Sequence, residues 1–223
     1  MKVACITTHN EGPTIGKLVR ELRVSFEKVI VVDAASWDTT RSEASRAGAD
    51  VLFTESKLPI GPALLIAWER ALRYTPSAIL QIDAGGSHLA EDAPRLLAQL
   101  KHADVVLGSR FMAGAEYIGG QARRRIGSRV ATMMCNGAQL GPHFTDWTSG
   151  YRAFTPQALR VLSQYEYRAK MHGWQIEVLA HAITSGLLIT EVPIRYIAGR
   201  SSFNFRVAIE AYRVWEWMHT EIP

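Results

Sequence analysis

Three apolar runs in this chain each end on a residue that can hold charge. Ser77-Ala78-Ile79-Leu80 reads as a buried strand, and it leads through Gln81 and Ile82 to Asp83-Ala84-Gly85-Gly86-Ser87-His88. Val29-Ile30-Val31-Val32 ends at Asp33, and Val105-Val106-Leu107 ends at Gly108-Ser109-Arg110-Phe111. A carboxylate at a strand end can take a cation or a ligand N–H. An arginine there can meet phosphate oxygens with its planar fork. Glycines beside them let the backbone turn and let a ligand come close. Taken alone, the Asp83 octapeptide is equally an ordinary strand-to-loop turn with a solvated aspartate. Three such endings on one sheet edge make a site, because ligands of open α/β sheets bind at the carboxyl ends of the strands.

The elements that must position these residues follow in order. Lys2 to Thr7 reads as a first strand and Thr14 to Leu22 as a helix, with Thr8-His9-Asn10-Glu11-Gly12-Pro13 a turn between them. A helix opened by Asp38 or Thr39 runs to about Ala47, and Val51 to Thr54 is a third strand. Helices are expected from about Pro62 to Tyr74 and from about Ala90 to Lys101, on either side of the Asp83 strand. This alternation predicts a largely parallel sheet covered on both faces. The second half reads as a helix from Arg123 to about Asn136, the stretch Asp146 to Arg152, helices near 156–163 and 174–184, a strand from Leu187 to Val192, and a last helix from Asn204 to His219. No internal repeat or low-complexity tract appears.

Composition narrows the function classes. The chain has 223 residues, 48% of them hydrophobic and 21% charged, with a formal net charge of +4. That is one globular domain with a substantial core. Mild basicity suits a phosphate-bearing ligand or an anionic membrane surface, and equally a solvated surface without a message. No dense basic block interleaved with aromatics is present, so no nucleic acid is expected as a partner. The cysteines, Cys5 and Cys135, form no CxxC pair, which fits a reducing compartment. The N-terminal segment is too soon interrupted for a signal peptide, and no apolar stretch is long enough to span a bilayer. The absence of GxGxxG after the first strand disfavours a dinucleotide enzyme.

Taken together the motifs resemble the family 2 glycosyltransferases of the GT-A fold, and within them the dolichyl- or polyprenyl-phosphate mannosyltransferases. The resemblance spans roughly Val3 to Arg200. It is carried, in order, by Asn10-Glu11, Val31-Val32-Asp33 with Ser36 and Asp38, the Asp83 loop with Ser87-His88, Gly108-Ser109-Arg110-Phe111, Arg124 with Ser128, Asp146 with Thr148-Ser149-Gly150-Tyr151-Arg152, Gln175-Ile176-Glu177, Glu191-Val192-Pro193-Ile194, and Arg200. It implies a Rossmann-like, mixed but mostly parallel sheet flanked by helices. It implies one domain over 1–223, with a nucleotide-sugar half at 1–112, an acceptor half at 113–204 and a terminal helix at 205–219. The implied activity is inverting transfer of a hexose, mannose or glucose, from GDP-mannose or UDP-glucose to a polyprenyl or dolichyl phosphate.

By the same resemblance Glu11 and Asp33 would bind the donor, Asp33 at the nucleoside. Asp83 would serve a Mg2+ or Mn2+ ion and the diphosphate. Arg110, Arg124, Ser128 and Arg200 would hold donor or acceptor phosphates, and Asp146 would lie near the reacting centre. An acceptor phosphate is already ionised and needs positioning more than a base; a hydroxyl acceptor would need one, and Asp146 is the candidate. Glu177 reads as a core acid or an acceptor-site residue, and Glu191 as structural.

The chain departs from the family pattern at the metal. The usual Asp-x-Asp reads Asp83-Ala84-Gly85, so one carboxylate is missing, and Ser87 is a poor ligand for a hard cation. Asp33 is followed by Ala34 rather than a second acid, and Ser202-Phe203-Asn204 replaces the signature after Arg200. Three readings stay open: weak cation binding through Asp83 and the donor, catalysis by arginines without metal, or a nucleotide-sugar-binding or regulatory protein without transfer. A lipid acceptor implies a cytoplasmic protein that meets its membrane peripherally or through a membrane subunit. The last helix, with Phe205, Ile209, Tyr212, Trp215 and Trp217, is the expected contact, the alternative being that it packs on the domain.

Overall fold

A computed structural model of the chain describes residues 1–120, 122–199 and 205–221. The strands are β1 Lys2–Thr8, β2 Lys28–Ala34, β3 Asp50–Thr54, β4 Ala78–Asp83, β5 Val105–Ser109, β6 Glu116–Ile118, β7 Arg152–Phe154, β8 Ile189–Pro193 and β9 Arg195–Ile197. The helices are α1 Gly12–Leu22, α2 Thr40–Arg46, α3 Ile60–Leu72, α4 Ala93–Gln99, α5 Ala122–Gly137, α6 Pro156–Leu162, α7 Gly173–Thr184 and α8 Phe205–Thr220.

Successive side chains of a strand point to opposite faces, and here both faces are buried. Val3, Cys5, Ile30 and Val32 enter one core, shared with α3, α6, α7 and α8. Ala4, Ile6, Val29 and Val31 enter the other, shared with α1, α2 and α4. A strand buried on both sides reads as an unbroken apolar run, which is why β1, β2, β4 and β5 stand out in the sequence.

The main sheet has the order β3-β2-β1-β4-β7-β5-β8. All pairings are parallel except those of β7, which runs antiparallel between β4 and β5. Thr8 pairs with Asp33 and Thr7 with Asp83, so β1, β2 and β4 deliver their carboxyl ends to one edge. Arg152 lies opposite both Gln81 and Leu107. The reversal of β7 therefore brings the loop before it, residues 145–151, to that same edge. β6 and β9 form a separate two-stranded parallel sheet.

The sequence reading omits β6, β7 and β9, three residues each. Runs that short carry no periodicity. The helix expected from Ala90 begins instead as a 3-10 turn over Ala90–Asp92, with Pro94 in the first turn of α4. At α8 the packed alternative is the one the structure shows. Val214 and Met218 are buried against the first core, and Trp217 is half-buried, with its ring 5.0 Å from that of His181. Trp215 donates its indole N–H to the Met134 carbonyl at 3.0 Å. The tryptophans expected at a membrane surface hold α8 to the domain.

Candidate active site

The loops after β1 and β2 are tied into one unit. Asn10 N–H donates to Ser36 Oγ at 2.8 Å, and Trp37 N–H donates to Asn10 Oδ1 at 3.1 Å. His9 Nδ1 lies 2.8 Å from the Ala34 carbonyl. Asp38 accepts from Gly12 N–H at 3.1 Å and from Thr40 N–H at 2.9 Å. The turn requires left-handed backbone at Asn10 (φ 58°) and Ala35 (φ 56°), and strain of this kind concentrates at functional sites. At the floor is Asp33, fully buried. Its Oδ1 accepts Ser36 N–H at 3.1 Å, while Oδ2 has no hydrogen-bond partner among the described residues. A buried carboxylate oxygen left open at a strand end is suited to a ligand donor.

Asp83 ends β4, on the far side of β1 from Asp33, with 43% of its side chain exposed. A Cβ on Gly150 would come 3.0 Å from Asp83 Oδ1, so the missing side chain lets the 145–151 loop close against the carboxylate. Oδ2 lies 3.4 Å from His88 Nδ1. Gly85, where a second acid is usual, faces Glu11: a Cβ there would lie 3.4 Å from Glu11 Oε1. Among the described residues no group of three or more histidines, cysteines and acids is arranged to hold a metal ion by itself. Asp83 is the one carboxylate its motif supplies, and any further metal ligands would have to include oxygens of a bound diphosphate.

Across the edge, Arg110 and Asp146 are paired. Arg110 Nε donates to Asp146 Oδ2 at 2.6 Å, Nη2 to Oδ1 at 2.7 Å, and the Arg110 amide to Oδ2 at 3.1 Å. Both side chains are buried. Burial alone would raise the Asp146 pKa, but the Arg110 charge and hydrogen bonds override it and hold the carboxyl below its ordinary value. Burial likewise opposes the Arg110 charge, and Asp146 more than restores it. The fork expected to meet a phosphate is thus taken by Asp146, and the candidate base is an arginine-bound carboxylate, poorly suited to accept a proton near neutral pH.

The loop carrying Asp146 is held from every side. Glu191 accepts Thr145 N–H at 2.7 Å and Asp146 N–H at 3.0 Å, which gives it the structural role the sequence suggests. Ser149 Oγ donates to the Gly108 carbonyl at 2.6 Å. Beneath the loop, the fully buried Arg152 donates to the carbonyls of Ser149, Trp147 and Gln175, and Gln81 donates to that of Gly150. Burial pulls the Arg152 guanidinium down to about 10. Glu177 accepts Arg168 and Ala169 N–H at 2.9 and 2.8 Å, a satisfied core acid. Gln81, Gly150 and Arg152 carry no chemical signature of their own; only the Thr148-Ser149-Gly150-Tyr151-Arg152 motif pointed to two of them.

The structure thus brings Glu11, Asp33, Asp83, Arg110 and Asp146 to one edge. Arg124 and Ser128 lie on α5, the helix that sets Arg129 over the Phe111 ring just after β5 and whose Thr132 accepts the Trp147 N–H at 3.2 Å. Ser128 is half-buried, while the Arg124 side chain and all of Arg200 fall outside the described residues. α5 contains no acid, and it exposes Ile126 (60%), Val130 (45%) and Met133 (68%) at steps of four and three. Arg123, Arg125 and Arg129 on the same helix are also exposed. No helix among the described residues is long and apolar enough to cross a membrane.

Residues 3–161 match the sequence pattern of glycosyl transferase family 2. The undecaprenyl-phosphate mannosyltransferase of Micrococcus luteus is 32% identical over 199 residues, covering 86% of this chain and 82% of the relative. The polyprenol monophosphomannose synthase of Mycolicibacterium smegmatis is 30% identical over 227 aligned positions, covering 95% and 84%. A crystal structure of glucosyl-3-phosphoglycerate synthase from Mycobacterium tuberculosis, in complex with Mn2+, UDP and glucosyl-3-phosphoglycerate, superimposes with a TM-score of 0.74 over 100% of this chain and 81% of that one. At 18% identity it shows a shared fold.

Proposed function

This chain belongs to glycosyl transferase family 2, and we propose that it moves a hexose from a nucleotide-sugar to a polyprenyl phosphate, with inversion at the anomeric carbon. The observation that carries the proposal is likeness along almost the whole chain to two polyprenyl-phosphate mannosyltransferases. The carboxylates of Asp33 and Asp83 stand at the edge where a donor would lie. Mannose from GDP-mannose is the first choice of donor, with UDP-glucose the second.

In this reading Asp33 takes a donor N–H of the nucleoside through its open Oδ2, and Glu11 stands beside Gly85 at the edge where the donor lies. Asp83 faces the diphosphate. A Mg2+ or Mn2+ ion held there by Asp83 and the diphosphate would stabilise the charge that builds on the leaving group. With one protein carboxylate its affinity without donor is low. The acceptor phosphate attacks without a general base, which agrees with Asp146 being committed to Arg110. That pair fixes the 145–151 loop against Asp83. Arg124, Ser128 and Arg200 are assigned to the acceptor or donor phosphates.

The acceptor is met at a membrane surface through α5 rather than α8. The exposed Ile126, Val130 and Met133 with neighbouring arginines and no acid suit the interface of an anionic bilayer. A membrane subunit covering the same face is the second reading of this contact.

The test is transfer from radiolabelled GDP-mannose or UDP-glucose into an organic-extractable product, with polyprenyl phosphate and Mn2+ or Mg2+ present. Donor binding without any lipid-linked product would favour a nucleotide-sugar-binding protein.

A further inference from the structure

Asp83 is half-exposed at the end of a strand, and an aspartate in that setting normally samples several rotamers. Fixing it costs side-chain entropy each time a ligand is bound. Where two acids flank a cation, each limits the other's freedom to matter. Here Gly85 supplies no side chain, so the geometry of the site depends on Asp83 alone.

Two neighbours limit it. The Gly150 backbone closes on Oδ1, and that backbone is held by Gln81 Nε2, which donates to the Gly150 carbonyl at 3.0 Å. His88 approaches Oδ2, with Nδ1 at 3.4 Å. The His88 side chain is only 2% exposed. Its ring stacks on Tyr151 at 5.0 Å and 26° and lies tilted against Tyr196 at 5.4 Å. Its backbone bridges to Tyr196, and the Tyr151 hydroxyl donates to the Leu89 carbonyl at 2.9 Å. Ile197 N–H donates to the Ser87 carbonyl at 2.9 Å. His88 is therefore wedged between the loop before β7 and strand β9, which leaves Nδ1 close to Asp83 Oδ2 as a near contact outside hydrogen-bond geometry.

We propose that His88 is a positioning residue for Asp83. Its ring, locked by Tyr151 and Tyr196, presents Nδ1 to Oδ2 and keeps the carboxylate aimed at the donor diphosphate and its cation. It performs part of the orienting work that a second acid would do. This inference rests on the reading of Asp83 as the residue facing the diphosphate.

Two substitutions separate orientation from packing. His88→Phe keeps a flat ring between Tyr151 and Tyr196 and removes the nitrogen. His88→Asn gives up the ring and keeps a polar group near the Nδ1 position. The measurements are calorimetric affinity for GDP and for UDP with Mn2+, and the unfolding midpoint without ligand. His88→Phe should leave the midpoint close to wild type while weakening Mn2+-dependent nucleotide binding about tenfold or more, the size usual for an outer-shell partner of a metal ligand. His88→Asn should lower the midpoint yet bind more tightly than His88→Phe at a temperature where both are folded. Wild-type affinity in His88→Phe, or losses in both variants that simply track the midpoint, would reduce His88 to a packing residue. Asp83→Ala serves as the control. If it binds as wild type does, the reading of Asp83 itself fails. If it is impaired while His88→Phe is not, only the role of His88 fails.

Discussion

Asp83 and Asp146 sit on the same edge of one sheet in opposite surroundings. Asp83 is half-exposed, faces a glycine and a histidine edge, and makes no contact with an arginine among the described residues. Asp146 is fully buried and gripped by both arms of Arg110. The first has its charge available to a ligand. The second has spent its charge on holding a loop. In the proposed function the two acids divide into a group that meets substrate and a group that positions it, and the division follows from the partner each one has rather than from residue type.

The largest effect should come from breaking the buried pair. Asp146→Ala leaves Arg110 buried without its counter-charge and should cost about 3–5 kcal/mol of stability. For a chain of this size that lowers the thermal midpoint by roughly 10 °C. Because the folded Asp146 pKa is depressed, its contribution is complete above the unfolded value of about 4 and is lost as pH falls through the folded value. Acid unfolding of the wild type should show this loss and Asp146→Ala should not. An unchanged midpoint would place Asp146 among the groups free to act on substrate.

The same contrast divides the two candidate membrane helices. Trp217→Ala should cost about 3 kcal/mol, as a packed aromatic does, and leave vesicle binding intact in the folded protein. Ile126→Ser with Met133→Ser should leave the thermal midpoint unchanged and weaken sedimentation with anionic vesicles roughly tenfold, the loss expected from removing one well-buried apolar side chain's worth of contact. Equal pelleting of wild type and the α5 variant would remove α5 as the contact.

Much of this division was hidden in the sequence, for reasons that particular residues make plain. β1, β2, β4 and β5 were legible as apolar runs buried on both faces, and their common edge followed. β7 was not, because Arg152-Ala153-Phe154 has neither length nor alternation. Without it nothing places Gly150 beside Asp83. Arg110 and Asp146 lie 36 positions apart, and each alone looks like a ligand-binding group. Only their contact shows that they neutralise one another. α8 stayed open between two readings because Trp215 and Trp217 suit a membrane interface and a packed helix equally well.

The smallest effect concerns the missing acid. Gly85→Asp adds a carboxylate near Asp83, but its Cβ points at Glu11 Oε1, 3.4 Å away. Like charges at that distance oppose the gain, so Mn2+ affinity should rise by no more than about threefold. Adding Glu11→Gln should enlarge the gain, as calorimetry without donor would show. A large gain from Gly85→Asp alone would mean that Glu11 turns away from the cation.

The most direct test of the division between the two acids is Asp83→Asn, followed by transfer rate and by unfolding midpoint in the same preparation. The rate of hexose transfer to polyprenyl phosphate should fall at least about a hundredfold, while the midpoint stays where it is, since a half-exposed carboxylate without an arginine holds little of the fold together. Retained transfer, or a midpoint that falls as far as that of Asp146→Ala, would contradict it.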